Sequence, residues 1–284
     1  MSARLRAIAR ETETIVEEGR YRTPAGREVS IARALAAALS GTRLYGPGPV
    51  PVAVLDSDRA TVVEVTGESS LQAARRMTGE GPGKVAVLNF ASARNPGGGY
   101  LNGAQAQEEA LCRSSALYAT LLRAPDHYAH HRAERSAFYT DRVIHSPGVP
   151  VFRDDRGRLL DIPFTVGFLT SPAPNAGVIR SRTPEEAPRI PAALASRAER
   201  VLEVAAVRGY RRLVLGAWGC GVFRNDPAQV ARAFRELLTD GGRFAGHFEQ
   251  IVFGILDRGP ESATRTAFAR AFEQAVRPSG PDTP

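Results

Sequence analysis

Lysine is almost absent from this sequence: Lys84 is the only one in 284 residues, although lysine and arginine together number 37. No GxxxxGK[ST] run occurs and no lysine stands near a glycine-rich turn that needs one, which counts against a P-loop ATPase. Cysteine is as scarce. Cys112 and Cys220 form no CxxC pair, so the usual zinc spacing is missing, and nothing requires a disulfide. His127, His130 and His131 have i, i+3, i+4 spacing, but no acidic partner of the HExxH kind accompanies them, so no metal is expected. There is no GxSxG elbow for a Ser-His-Asp hydrolase and no internal repeat. No stretch approaches the roughly 20 apolar residues of a membrane span. The N-terminal segment is charged and amphipathic, without the apolar core of a signal peptide. These absences lead us to expect a cytoplasmic protein with no membrane partner.

What is present is a globular composition, 43% hydrophobic, in a chain long enough to bury a substantial core as one large domain or two small ones. The formal charge is +7 and the pI is near 10.0. That balance suits a polyanionic partner drawn in over distance, and it equally suits an arginine-favouring genome. No basic–aromatic motif of the RRM or helix-turn-helix kind is seen, so no direct nucleic-acid binding is expected.

Helical patterns over 2–18 and 28–40 are separated by a Thr-Pro-Ala-Gly turn at 23–26. Apolar runs follow at 50–55 and 61–65, flanking a charged turn at 56–59, and a helix is expected over 68–77. Residues 84–90 (KVAVLNF) are nearly continuously apolar, as in a strand buried on both faces. A helix is expected over 107–122, short strands near 143 and 151, and a strand over 164–170. Then come a helix over 191–207, a strand over 213–217, a helix over 228–238, a strand over 250–256 and a helix over 261–276. This alternation argues for an α/β three-layer sandwich.

Two glycine-rich loops each follow a strand and precede a helix, where open α/β sheets bind ligands. The first is Asn95-Pro-Gly-Gly-Gly99, followed after a seven-residue spacer by Gln107-Glu108-Glu109. Asn89 closes the preceding strand, and asparagine can both donate to and accept from a sugar hydroxyl. The glycine run alone also fits a simple turn, and Glu108 and Glu109 alone also fit a helix start. Adjacent helical residues point about 100° apart, so one carboxylate can face a scissile bond while the other orients the sugar. A general acid here needs a raised pKa, which burial and a like-charged neighbour supply. The second loop, Gly216–Phe223, can cradle phosphate oxygens on its free N–H groups, with Asp226 as N-cap and Pro227 at the first helical position. Phe223 fits a ring stacked on a sugar or base and equally a core aromatic. Glu68, at another strand-to-helix junction, fits an adenine contact or an exposed helix start. Thr170–Asn175 fits a pocket rim or a rigid turn.

The GGG run, the spacer and QEE together resemble the signature of poly(ADP-ribose) glycohydrolases, most of all the shorter, bacterial-type branch. The resemblance implies a macrodomain-like α/β/α sandwich with a mixed central sheet. It also implies a division into an N-terminal helical extension over 1–48 and a catalytic domain over 49–276, and the terminal segment 277–284 is expected from its composition to be a disordered tail. Carried over by position, Glu109 is the catalytic acid and Glu108 holds ribose hydroxyls beside the scissile bond. Asn95, Gly97, Gly98 and Gly99 hold the distal ribose, and Asn89 and Gln107 are further candidate ADP-ribose contacts. Gly219, Cys220, Gly221, Val222 and Phe223 match the diphosphate loop, and Glu68 is the candidate for adenine. The implied substrate is poly(ADP-ribose) or ADP-ribosylated protein, the product ADP-ribose, the cleavage mainly exo, the enzyme a monomer without cofactor. A mono(ADP-ribosyl) hydrolase and a non-catalytic ADP-ribose reader are the alternatives; a reader has no use for a buried acid pair.

Overall fold

The computed structural model describes residues 2–53, 60–239, 241–257 and 262–273. In chain order the elements are α1 (Ala3–Glu18), β1 (Arg20–Arg22), β2 (Glu28–Ser30), α2 (Ala32–Gly41), β3 (Arg43–Tyr45), β4 (Val62–Thr66), α3 (Ser70–Gly79) and β5 (Val85–Phe90). There follow α4 (Gln107–Ser114), α5 (Leu117–Leu121), α6 (Pro125–Ala133), β6 (Val143–Arg153) and β7 (Leu159–Ser171). The chain continues through α7 (Ala176–Arg182), α8 (Ile190–Val207), β8 (Arg212–Leu215), α9 (Pro227–Leu238), β9 (Gln250–Gly254) and α10 (Ala263–Phe272).

One seven-stranded sheet runs in the order β3-β6-β7-β5-β8-β9-β4. β7, β5, β8, β9 and β4 pair in parallel, while β3 and β6 join antiparallel at one edge. The sheet is therefore mixed, as expected. β5 shows why the apolar run was continuous: Val85 and Val87 pack with α1–α6, whereas Ala86 and Leu88 pack with α7–α10. Helices cover both faces, which makes three layers and leaves no solvent-facing side for polar residues. The parallel strands all end on one side, and both glycine loops emerge there.

Residues 2–48 are tied to the rest of the chain. β3 pairs with β6, and α1 is tied to the middle of the chain where Thr12 Oγ1 donates to the Arg113 carbonyl at 2.8 Å. β1 and β2 form a separate small hairpin around the expected turn, so the helix expected from 28 begins at Ala32.

The helix expected over 107–122 is two helices. Leu117 and Leu121 keep helical spacing, but Ser115 is extended and bridges Val151, and Ala116 N–H donates to the Pro150 carbonyl at 3.1 Å. β6 competes for the backbone and wins. The short strands near 143 and 151 are one strand, interrupted by irregularity at Pro147 and Gly148. No strand forms at residues 50–53, and 54–59, with the charged turn, lie outside the described residues. So do the tail at 277–284 and both ends of the helix expected over 261–276. Among the described residues no helix is long and apolar enough to cross a membrane.

Candidate active site

Beyond β5 the chain turns into the glycine run. Gly97 and Gly98 take φ of 65° and 57°, where glycine escapes the strain a side chain would bring. Space excludes larger residues as well. A Cβ on Gly98 would stand 2.6 Å from Glu109 Oε1, and one on Gly97 2.9 Å from the Tyr118 ring. The loop closes on itself: Gly98 N–H donates to the Asn95 carbonyl, Tyr100 N–H to Gly97 and Asn102 N–H to Gly99, each at 3.0 Å.

The first turn of α4 lies against that loop. Glu108 is 2% exposed and Glu109 8%. Glu109 Oε1 accepts from Gly99 N–H at 2.9 Å, and Oε2 accepts from Ala106 N–H at 3.0 Å. The second bond is cap chemistry, a carboxylate reaching back to the N-cap amide. Glu108 Oε2 accepts from Ser92 N–H at 2.7 Å and Oε1 from the Asn89 amide at 3.2 Å. Burial pushes the Glu108 carboxyl up to about 8; its donors at Ser92 and Asn89 oppose that rise and the neighbouring Glu109 charge adds to it.

Asn89 and Gln107 act from behind. Asn89 is fully buried and its amide also donates to Thr170 Oγ1 at 3.1 Å. Gln107 Oε1 accepts from Phe90 N–H at 2.9 Å, and its amide donates to the Leu88 carbonyl at 2.8 Å and Ser70 Oγ at 3.1 Å. Gln107 thus stitches α4 to β5 and α3.

The second loop is built differently. Its ends are pinned: Trp218 Nε1 donates to the Ser171 carbonyl at 2.9 Å, and Asn225 Nδ2 donates to Pro174 at 2.8 Å and Gly219 at 3.1 Å. Gly219 has φ of 71°, and a Cβ there would meet Ala173 and Asn225 at 2.5 Å. Asp226 caps α9 through Ala228 N–H at 2.8 Å, with Pro227 first in the helix. Between the pins, the N–H groups of Gly219, Gly221, Val222 and Phe223 donate to no acceptor among the described residues. Four open donors in one turn form an anion cradle.

A cavity of about 950 Å³ brings the loops together, lined by Asn95, Gly98, Gly99, Glu108, Glu109, Gly219, Gly221, Val222 and Phe223. A second cavity of about 790 Å³, lined by Ser69, Leu71, Gly254, Ile255 and Leu256, meets the first along Phe90, Gln105–Gln107 and Ala217. The result is one long cleft over the carboxyl ends of the parallel strands.

Of the residues singled out from sequence, Gly97 and Asn89 stand behind the cleft wall, Gln107 lies where the two cavities meet and Cys220 is on neither lining. The carboxylate of Glu68, the adenine candidate, accepts from Arg76 at 2.8 Å, and Glu68 lines neither cavity. The three histidines lie on α6, with His127 and His131 buried. Among the described residues no group of His, Cys, Asp or Glu is arranged to hold a metal ion. Sequence reasoning passed over Ser92, Trp218 and Asn225. Only Asn225, one residue before a capping Asp-Pro, carried a usable signal, as a loop asparagine two residues past Phe223.

Residues 9–154 match the family model for the catalytic domain of microbial-type PARG. The chain is 53% identical to the poly(ADP-ribose) glycohydrolase of Thermomonospora curvata, over 95% of this chain and 100% of that one, with a TM-score of 0.90. The same enzyme bound to the inhibitor ADP-HPD superposes with a TM-score of 0.87. The poly(ADP-ribose) glycohydrolase of Deinococcus radiodurans, solved in complex with ADP-ribose, is 48% identical over 84% of this chain and 97% of that one, with a TM-score of 0.77. A search of curated proteins gave no match.

Proposed function

The chain belongs to the microbial-type poly(ADP-ribose) glycohydrolases, and from that premise we propose how its two glutamates divide the work. The enzyme is a glycosidase that hydrolyses the ribose–ribose O-glycosidic bonds of poly(ADP-ribose) and releases ADP-ribose. The carrying observation is the buried carboxyl pair at the start of α4, with Glu109 clamped by two main-chain amides on the wall of the cleft.

ADP-ribose lies along the cleft. Adenosine occupies the end lined by Ser69, Leu71, Ile255 and Leu256, the diphosphate rests on the open N–H groups of Gly219–Phe223, and the distal ribose meets Asn95 and Gly98–Gly99. On this reading Glu109 delivers the proton. Each of its oxygens accepts one amide bond and keeps a second lone-pair site, so the proton resides on the cleft side without disturbing the clamp. Glu109 donates it to the departing ribose oxygen as the bond from the anomeric carbon breaks. The distal ribose becomes oxocarbenium-like, with the substrate's own phosphates close by. Water then attacks the anomeric carbon, and the Glu109 carboxylate takes the water proton. Glu108 holds the ribose hydroxyls beside the bond, and Asn89 and Ser92 hold Glu108.

Glu109→Gln keeps the volume and one of the two clamp bonds, since its amide nitrogen cannot accept from a main-chain N–H, and it removes the transferable proton. Turnover should fall about a thousandfold or more, while ADP-ribose affinity by calorimetry stays close to wild type. Near-normal release of ADP-ribose by the variant would sink the assignment. Cleavage is mainly exo on this reading: α10 reaches the chain just before the adenosine end, with Arg265 Nη1 3.1 Å from where a Cβ on Gly67, two residues before Ser69, would lie. Long free chains appearing early in a digestion would contradict that. The enzyme works as a monomer in the cytoplasm, on this reading, and needs no cofactor.

A further inference from the structure

We propose that the rim beyond Phe223 is a second nucleotide subsite, which receives the adenine and diphosphate of the polymer unit that departs on cleavage. The proposal rests on the hydrolytic reading above.

Among the described non-glycine residues, only Tyr139 and Arg224 have positive φ, 57° and 55°. Both lie on this rim. Such conformations persist in side-chain-bearing residues only where the surroundings hold them, and they gather at functional sites. The Tyr139 and Phe223 rings are 5.9 Å apart and tilted by 43°, and the Arg94 guanidinium stands 6.0 Å from the Tyr139 ring centre.

Three arginines are fastened there by main-chain carbonyls. Arg94 Nε donates to His131 at 3.1 Å, Arg132 Nη1 to Arg94 at 2.8 Å and Arg180 Nη1 to Arg224 at 2.9 Å. Arg94, Arg132, Arg180 and Arg224 are all exposed. None of them pairs with a carboxylate among the described residues, whereas Arg76 alone pairs with Glu64, Glu68 and Glu80. Cations held in place but not neutralised, set around two aromatic rings, match a ligand with a flat base and a phosphate chain.

The chemistry of the polymer places such a ligand here. The scissile bond joins the distal ribose of one unit to the adenosine ribose of the next. Phe223 lines the same cavity as Glu109, so the departing unit carries its adenine and diphosphate past this rim.

Arg94→Gln/Arg224→Gln removes two of the charges with shorter polar side chains, and Arg132→Glu/Arg180→Glu reverses two others while giving up their hydrogen bonds to the Arg94 and Arg224 carbonyls. Three measurements separate the outcomes: turnover of poly(ADP-ribose), turnover of ADP-ribose carrying a small 1″-O-aryl leaving group, and the Kd of ADP-ribose. We expect KM for the polymer to rise about tenfold with a shallower salt dependence, kcat to hold within about twofold, and both other measurements to stay at the wild-type value. An unchanged polymer KM in both variants, with wild type active, overturns the subsite alone. Equal losses on the polymer and the aryl substrate overturn it too, because the rim would then serve the bound ADP-ribose itself. Wild-type protein inert on the polymer overturns the hydrolytic reading, and with it the departing unit.

Discussion

In the loop after β5, Gly98 faces two carboxylates; in the loop after β8, Gly221 faces open space. Gly98 packs on Glu109, and Gly99 gives its N–H to the same side chain. The donors of Gly98, Tyr100 and Asn102 are consumed within the loop. The second loop holds its ends through Trp218 and Asn225 and leaves four N–H groups without an acceptor among the described residues. A catalytic proton must be delivered to within a fraction of an ångström, so its support is saturated. A phosphate must be received, so its support is left unsatisfied. The same residue type serves rigidity in one place and accessible main chain in the other.

The contrast breaks most visibly at Gly98. Gly98→Ala puts a methyl where Glu109 Oε1 stands and imposes a side chain on φ of 57°. Turnover should fall about a hundredfold or more, as misplaced catalytic groups do, while the Kd for ADP-ribose changes far less. Equal losses in kcat and affinity would mean that the first loop binds as much as it positions.

Glu108 sharpens the contrast through pH. Its carboxyl rises from 4.5 to about 8 on folding. Below pH 4.5 it is neutral in both states; above that, the unfolded chain ionises first. The stability contributed by the neutral form is therefore lost as pH rises from 4.5 through about 8, by roughly 3–5 kcal/mol. Melting temperatures across pH 5–9 should fall for wild type and stay flatter for Glu108→Gln. Parallel curves would show that Glu108 does not carry this proton.

The smallest effect belongs to the second loop. Asn225→Ala frees the strap between Pro174 and Gly219 and should weaken ADP-ribose about tenfold, the scale of a lost buried hydrogen bond, with kcat on saturating polymer preserved. Gly221→Ala, where a Cβ meets nothing within 4 Å, serves as its control at about twofold or less. A Gly221 effect larger than that of Asn225 would reverse our account of how the loop is held.

The sequence carried the sheet through continuous apolar runs such as KVAVLNF, and the helix caps through Asp226-Pro227. It hid the break after α4, because Leu117 and Leu121 keep the helical period while the decisive partner, Pro150, lies far along the chain. It hid the length of β6 behind Pro147 and Pro150, residues that ordinarily end strands. At the site, the glycine run and the glutamate pair stood out because their spacing is local. The placement of Asn89 and Glu68 did not, since a buried amide behind the wall and a carboxylate paired with Arg76 follow from packing across elements. Ser92 contributes only its main chain, and no residue pattern announces that.

The hydrogen bonds of α1 have a consequence for the order in which the enzyme takes shape. Thr12 waits for a carbonyl 101 residues later, and Arg153 reaches back across 141 residues to Thr12. Tyr100, at the end of the glycine run, gives its hydroxyl proton to α1 at Ala9 or Glu13. During synthesis at about 5–20 residues per second, α1 is outside the ribosome for several seconds before the strand that secures it exists. The helix made before its partners is among the later pieces to be seated, and the Glu109 loop it backs becomes firm only after translation has passed β6.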